Sequence, residues 1–292
     1  MKKILISGAN GFIAQNFMRS YADKYEFIHL SHATNSQLSL SDLTGNIKLI
    51  KSIDIILNLA GANIAEKRWT ESRKQEILES RLLTTDNLIR LFNEHNPQAH
   101  FISASAIGIY PNDISCDENT YIDFEKHTNF SQEITKKWEQ AAQNYTGKLT
   151  ITRFGVVLSG NGGAFPKMLR PFQLGMGGKL GSGKQLFTWI ALPDLLTALI
   201  HVIDNTKTGI YNLTAPQIIS NNTLANEISQ VWHKPNLLPL PEFMIKLIFG
   251  QMGNELFFIF FSVSPLNLQN ENFSFSYPDI TSCLMAIKNQ CF

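Results

Sequence analysis

The stretch Gly8–Ala14 reads "GANGFIA", which places Gly8, Gly11 and Ala14 in the spacing G-x-x-G-x-x-A. It follows a short β-branched run and opens a helical pattern at Phe12. Each small residue has a task in that setting. Gly8 permits a tight turn at a strand end, and Gly11 lets backbone N–H groups approach a pyrophosphate at a helix N-terminus. Ala14 lets the helix pack close to the strand. A strand–turn–helix corner that needs glycine only for its dihedrals is the plainer account. The placement, with a parallel sheet expected downstream, favours a dinucleotide. A site for a free ribose 2′-hydroxyl usually carries Asp or Glu at the end of the second strand. Here stand Ser31 and His32. No carboxylate is present there to repel a 2′-phosphate, and a hydroxyl and an imidazole can donate to one. NADP(H) is therefore favoured over NAD(H). That both are merely polar loop residues stays open, because no Arg accompanies them.

The elements that must position this loop follow from periodicity. Lys2–Ala9, Glu26–His32, Ile53–Ala60, His100–Ala106 and Leu149–Leu158 read as strands, several apolar on both faces as strands covered by helices on each side should be. Helical patterns fill Phe12–Tyr25, Glu71–His95 and Phe130–Tyr145 between them. The alternation predicts an α/β fold, a Rossmann-type doubly wound parallel sheet with a smaller C-terminal substrate lobe. Residues 1–160 form the expected dinucleotide-binding domain, to which 209–214 ("GIYNLT") adds a strand. Residues 161–292 form the expected lobe, with helical patterns at Pro193–Asn205, Asn221–His233 and Pro241–Phe249 and a C-terminal helical domain at about 236–290.

Composition narrows the classes. The 25 basic and 24 acidic residues nearly cancel and no stretch concentrates Lys and Arg, which argues against nucleic acid. Cys116, Cys283 and Cys291 are sparse and unpaired in pattern, as suits a reducing compartment, and the seven histidines have no metal-site spacing. "MKKILIS" begins like a signal peptide but runs into glycines, and the longest apolar run, Leu256–Val263, is too short for a bilayer. That run reads as a buried segment or a dimer contact. The expected setting is cytoplasmic, away from membranes, as a monomer or homodimer.

The glycine loop, "NLAG" (Asn58–Gly61) and "SASA" (Ser103–Ala106) resemble extended short-chain dehydrogenase/reductases. "RWTESRKQEILESRLLTT" (Arg68–Thr85), "SASAIGIY" (Ser103–Tyr110), the glycine-rich run Arg153–Gln185 and "LPLPEFMIKLIFGQM" (Leu238–Met252) resemble an atypical branch of the NAD-dependent epimerase/dehydratase family, the nucleoside-diphosphate-sugar epimerase-like one with a small C-terminal domain. The resemblance implies that Gly8, Asn10, Gly11, Phe12 and Ile13 wrap the pyrophosphate, and that Ser31 and His32 meet the adenosine ribose. It implies further that Leu59, Ala60 and Gly61 line adenine and ribose, that Glu76 and Arg81 approach the cofactor, and that Val156 and Val157 sit near the nicotinamide. Glu76 and Arg81, at i and i+5, are on different sides of a helix and are no helical ion pair.

Active members of the superfamily use a Ser or Thr after the fourth strand and a Tyr-x-x-x-Lys on the next helix. The Tyr exchanges a proton with the substrate while hydride moves, and the Lys lowers the Tyr pKa from near 10. Ser105 fits the first role, but Phe130 and Ile134 replace the expected Tyr and Lys. Tyr110 and Tyr121 are replacements to weigh against core or loop aromatics. Lys136 and Lys137 fall on other helix faces. "GKLGSGKQ" (Gly178–Gln185) nearly spells a P-loop, yet Gln185 stands where a magnesium-binding hydroxyl belongs and no strand precedes it. It reads as a loop over a substrate, with Lys184 toward an anion, or as a plain flexible loop. Ala191 stands where relatives often have His. Two readings remain: an epimerase or oxidoreductase acting on an unknown small-molecule substrate without the usual pair, or a non-catalytic NADP(H) sensor or scaffold.

Overall fold

The computed structural model describes residues 1–31, 38–258 and 261–292, so His32 lies outside the described residues. Five strands appear in sequence: β1 (Lys2–Ser7), β2 (Tyr25–Leu30), β3 (Ile55–Asn58), β4 (His100–Ala106) and β5 (Leu149–Phe154). They alternate with α1 (Phe12–Ser20), α2 (Glu71–His95) and α3 (Phe130–Ala142). The chain continues through β6 (Val156–Leu158), α4 (Phe165–Gln173), β7 (Trp189–Ala191), α5 (Leu192–Asp204) and β8 (Gly209–Leu213). It ends with α6 (Asn221–Trp232), α7 (Glu242–Phe249), α8 (Gln251–Phe257) and α9 (Ile280–Lys288), besides shorter pieces.

The central sheet has six strands in the order β8-β5-β4-β3-β1-β2, every pair parallel. Alternation along the strands explains why it is covered twice. Ile4, Ile6, Ile55 and Leu57 join a core with Phe17 of α1 and Leu195 and Leu199 of α5. Leu5, Ile56 and Phe101 enter a second core with Leu88, Ile89 and Phe92 of α2. Strands buried on both faces are what crossover helices produce in a parallel sheet. The strand order reverses beside β1, between β2 and β3, so a crevice opens at the carboxyl ends of these strands.

Within residues 161–292 two stretches pack differently. After β5 the chain returns through α5 to β8 as a crossover, so residues 192–213 pack within the layers of the main sheet. The separate core joins β6, α4, α6 and α9 around Phe165, Trp189, Leu224 and Leu284. The strand read as Leu149–Leu158 breaks at Gly155. Gly155 N–H donates to Leu213 O (3.1 Å), whereas Val156 N–H donates to Thr188 O (3.0 Å), and β6 leaves the sheet to pair with β7. The Leu256–Val263 run divides between the end of α8 and a parallel pairing of Ser262–Val263 with Ser115–Cys116, with residues 259 and 260 outside the description.

Candidate functional site

The glycine loop bends because another strand passes against it. Gly8 has φ +68°, and a Cβ there would stand 2.8 Å from Leu59 O and 2.9 Å from Ala60 Cα. A side chain is therefore excluded twice, by dihedral and by the close passage of the backbone leaving β3. Gly11 N–H donates to Gly8 O (2.8 Å), closing the turn, and Gly11 is the N-cap of α1 with no side-chain cap. The N–H groups of the first helical turn are thus left without a side-chain acceptor, the arrangement that suits an anion. Asn10 Nδ2 donates to Ser31 Oγ (3.0 Å) and ties the loop to the end of β2. The ring of Phe12 lies against Gly162, while Ile13 packs half-buried on the sheet core.

Below the loop a chain of hydrogen bonds fixes the crevice floor. Ser7 Oγ donates to Asn58 Oδ1 (2.5 Å), Asn58 Nδ2 to Thr85 Oγ1 (2.8 Å), and Trp138 Nε1 to the same hydroxyl (3.1 Å). Thr85 and Trp138 were not singled out from sequence, since nothing local marks a helical Thr or Trp as a support. Above them lies a cavity of ≈ 240 Å³ lined by Ser7, Gly8, Leu30, Ser31, Ala60 and Gly61, with Leu40, Ala62, Ser80 and Thr84. The described lining holds no carboxylate.

Arg81 stands beside this cavity. Its guanidinium rests on Gly61, where a Cβ would approach Cζ to 2.8 Å, and over the Trp138 ring at 5.1 Å. Nη1 donates to Ala62 O (3.1 Å) and Ile77 O (2.9 Å), and no carboxylate among the described residues pairs with it. Burial, with Arg73 nearby, pulls its pKa down to about 10, so it stays charged at neutral pH without a counter-ion. Glu76 is elsewhere. It is exposed and ion-paired with Arg73 (2.7 Å), which also reaches Glu66 (3.0 Å) and Asn63 O (2.6 Å). Val156 and Val157 are half-buried on β6, outside the cavity lining.

The catalytic candidates sit in a different environment. Phe130 is buried edge-on against Trp69 (ring centroids 5.0 Å apart), and Ile134 joins it in an apolar cluster with Ile77 and Met252. Neither a phenol nor an ammonium stands at the two positions; Ile134 has apolar neighbours, while the Phe130 ring also has Lys74 Nζ over its face at 5.5 Å. Ser105 is buried and donates to Glu139 Oε1 (2.6 Å), so its proton is directed into the protein. Glu139 is clamped by Arg153 through Nε (2.8 Å) and Nη2 (2.7 Å), and Arg153 Nη1 donates to Tyr110 Oη (2.8 Å). Tyr110 in turn donates to Asn212 Oδ1 (2.8 Å). Burial opposes the Arg153 charge, but the bonds and charge of Glu139 outweigh it and raise its pKa. Burial likewise pushes Tyr110 up to about 12. Tyr110 is thereby a buried strut, and Tyr121 is exposed on its loop. Lys136 is buried with Nζ donating to Asp123 O (2.7 Å) and Lys126 O. In the glycine-rich run, Gln185 is buried against Leu180 O (3.0 Å) and Lys184 is exposed, with no phosphate cradle behind a strand. No group of His, Cys, Asp and Glu among the described residues could hold a metal ion.

Comparison with known proteins agrees with this geometry. The profile of the NAD dependent epimerase/dehydratase family matches residues 4–214, and that of a domain of unknown function, DUF1731, matches residues 240–287. An epimerase family protein of Staphylococcus saprophyticus is 35% identical over 97% of this chain and 98% of its own length. One from Staphylococcus aureus is 33% identical over 97% and 98%. The crystal structure of human epimerase family protein SDR39U1 with NADPH superimposes with a TM-score of 0.90 at 28% identity, covering 98% of this chain and 99% of that one. The nucleoside-diphosphate sugar epimerase of Corynebacterium glutamicum gives 0.76 at 26% identity, covering 98% of this chain and 57% of its own. The chain, with its Rossmann-type NAD(P)-binding fold, belongs to the NAD dependent epimerase/dehydratase family, in the atypical short-chain dehydrogenase/reductase branch.

Proposed function

We propose that this protein binds NADP(H) in the crevice between the ends of β1, β2 and β3, and that it is an oxidoreductase or epimerase working without a Tyr–Lys pair. The observation that carries the reading is the half-buried Arg81, with no carboxylate partner among the described residues, beside a cavity whose described lining holds no carboxylate. A partly desolvated cation with no carboxylate partner favours an anion beside it, and a dinucleotide brings its phosphates to that place. Gly8, Asn10, Gly11, Phe12 and Ile13 would hold the pyrophosphate, and Leu59, Ala60 and Gly61 the adenosine. Ser31, with His32 beside it in sequence, would meet the 2′-phosphate. Val156 and Val157 would flank the nicotinamide, while Glu76 acts through Arg73 on the loop after β3. The NADPH in the human relative's crystal structure supports the same preference.

When bound, NADP(H) supplies the hydride. The chain's own part is to hold the carboxyl ends of β4, β5 and β8 rigid through the Ser105–Glu139–Arg153–Tyr110–Asn212 network. Phe130 and Ile134 donate no proton, so the acid must come from the substrate, from water or from another group. The substrate class is a small hydroxylated or nucleoside-diphosphate-sugar-like carbonyl compound. Three free thiols, two of them buried, suit a cytoplasmic setting. The apolar cluster at Phe130 and Ile134 favours a second reading, a cofactor-binding sensor without turnover. Titration of NADPH against tryptophan fluorescence, with Trp138 as reporter, followed by absorbance of bound NADPH against a carbonyl panel, separates the two. Oxidation of NADPH by any member supports the enzyme, and tight binding without oxidation across the panel supports the sensor. Absence of NADPH binding defeats both.

A further inference from the structure

The seam between α2 and α3 changes character along its length. Ile77, Arg81 and Thr85 are spaced four apart on α2, and Phe130, Ile134 and Trp138 are spaced four apart on α3, so each set forms one stripe. At the head of the seam Ile77 meets Phe130 and Ile134 in an apolar cluster. Further along, Trp138 meets Arg81 and Thr85. The indole N–H donates to Thr85 Oγ1 (3.1 Å), and the ring centroid lies 5.1 Å from Arg81 Cζ. Trp138 is buried and Arg81 is half-buried. An aromatic face both packs in such a seam and attracts the cation.

Both contacts of the indole lead to the crevice. Thr85 also receives Asn58 Nδ2 (2.8 Å), and Asn58 receives Ser7 Oγ (2.5 Å) at the end of β1, so the edge of the ring is pinned to the crevice floor. Arg81 is held by more than the ring. Its Nη1 reaches the carbonyls of Ala62 and Ile77, and a Cβ on Gly61 would stand 2.8 Å from Cζ and 3.1 Å from each Nη. Gly61 and Ala62 line the cavity. Nε and Nη2 have no acceptor among the described residues, so the guanidinium keeps donors for an anion. We infer that Trp138 is a positioning residue for the dinucleotide: it holds the Arg81 guanidinium against Gly61 at the edge of the cavity, where a phosphate meets a cation already in place. The inference rests on the crevice holding NADP(H). It gives α3 a part in binding the cofactor, two turns beyond the Phe130 that stands where a Tyr is expected.

Calorimetric titration with NADPH tests this, since the substitutions remove a fluorescent reporter. Trp138→Leu should weaken NADPH ~tenfold, the order that a partly desolvated cation–ring contact supplies. Trp138→Phe keeps an aromatic face and should stay within ~threefold of the unsubstituted chain. In an Arg81→Met background Trp138→Leu should weaken binding no further, because the ring acts through the guanidinium. A second readout needs no cofactor. Modification of Arg81 by phenylglyoxal, followed by mass spectrometry, should quicken ~tenfold in Trp138→Leu and keep its rate in Trp138→Phe. An unsubstituted chain that binds no NADPH overturns the reading on which the inference rests. NADPH binding that Trp138→Leu leaves unchanged, or weakens equally in the Arg81→Met background, overturns the inference alone, as does an unaltered rate of Arg81 modification. So does a loss in Trp138→Phe as large as that in Arg81→Met, an arm that decides even where Trp138→Leu does not fold.

Discussion

At the ends of β1 and β3 the chain withholds side chains; at the ends of β4, β5 and β8 it crowds them. The first region is made of Gly8, Ala60 and Gly61 around a cavity, with Arg81 as its one unpaired charge among the described residues. The second is filled by Glu139, Arg153 and Tyr110, all buried and mutually bonded, and by the apolar cluster around Phe130 and Ile134. Both regions lie along one carboxyl edge of one sheet. The contrast is between an open cavity walled by small residues and a filled region of buried, mutually bonded side chains; under the function proposed above, binding a dinucleotide and moving a proton would be separable constructions.

The largest effect should come from the filled region. Glu139→Ala leaves Arg153 buried without its partner, and the expected loss is about 3–5 kcal/mol in urea unfolding. A loss under about 1 kcal/mol would mean that solvent reaches the pair. Ile134→Lys comes next. A lysine at this buried site has no acceptor in the cluster, so about 3 kcal/mol or more should be lost, while Phe130→Tyr should stay within about 1 kcal/mol. Restoring the pair is then a stability experiment before it is a catalytic one. A stable Phe130→Tyr, Ile134→Lys double variant that oxidises NADPH would erase the contrast between the regions.

A control at the opposite edge touches neither region. His100 Nε2 lies 2.7 Å from Thr150 Oγ1, whose own proton goes to Lys207 O, so Nε2 is the donor and Nδ1 is left without a partner. Burial lowers the His100 pKa from 6.5 to about 4. Between these values the unfolded chain binds more protons, so this stability is complete above pH 6.5 and is lost as pH falls toward 4. About 3 kcal/mol is at stake over that window. Thermal unfolding against pH should show the slope, and His100→Gln should remove it without changing cofactor affinity. The open region should respond more gently in stability and more sharply in binding. Gly8→Ala is expected to cost about 2 kcal/mol and to weaken NADPH at least ~tenfold in a fluorescence titration.

Local signals in the sequence reached the open region well. The glycine spacing, the strand before it and the helix after it are contiguous, and β4 and α2 begin and end where periodicity puts them. The filled region was hidden because its contacts are long-range. Ser105 looked available on its strand, and only folding brings Glu139 to its hydroxyl. Similarly, nothing in "RFGVVL" announces that Gly155 turns Val156 out of the sheet, because the competing partners Thr188 and Trp189 come much later in the chain. Leu256–Val263 was legible as apolar but not as a helix end followed by a strand pairing with residues 115–116.

Whether the crevice holds NADP(H) is tested most directly by parallel titrations of the unsubstituted protein with NADPH and NADH, followed by intrinsic tryptophan fluorescence. Saturable NADPH binding at least ~tenfold tighter than NADH, a difference of about 1.4 kcal/mol, is the predicted result. No binding of either, or NADH binding as tightly as NADPH, would contradict it.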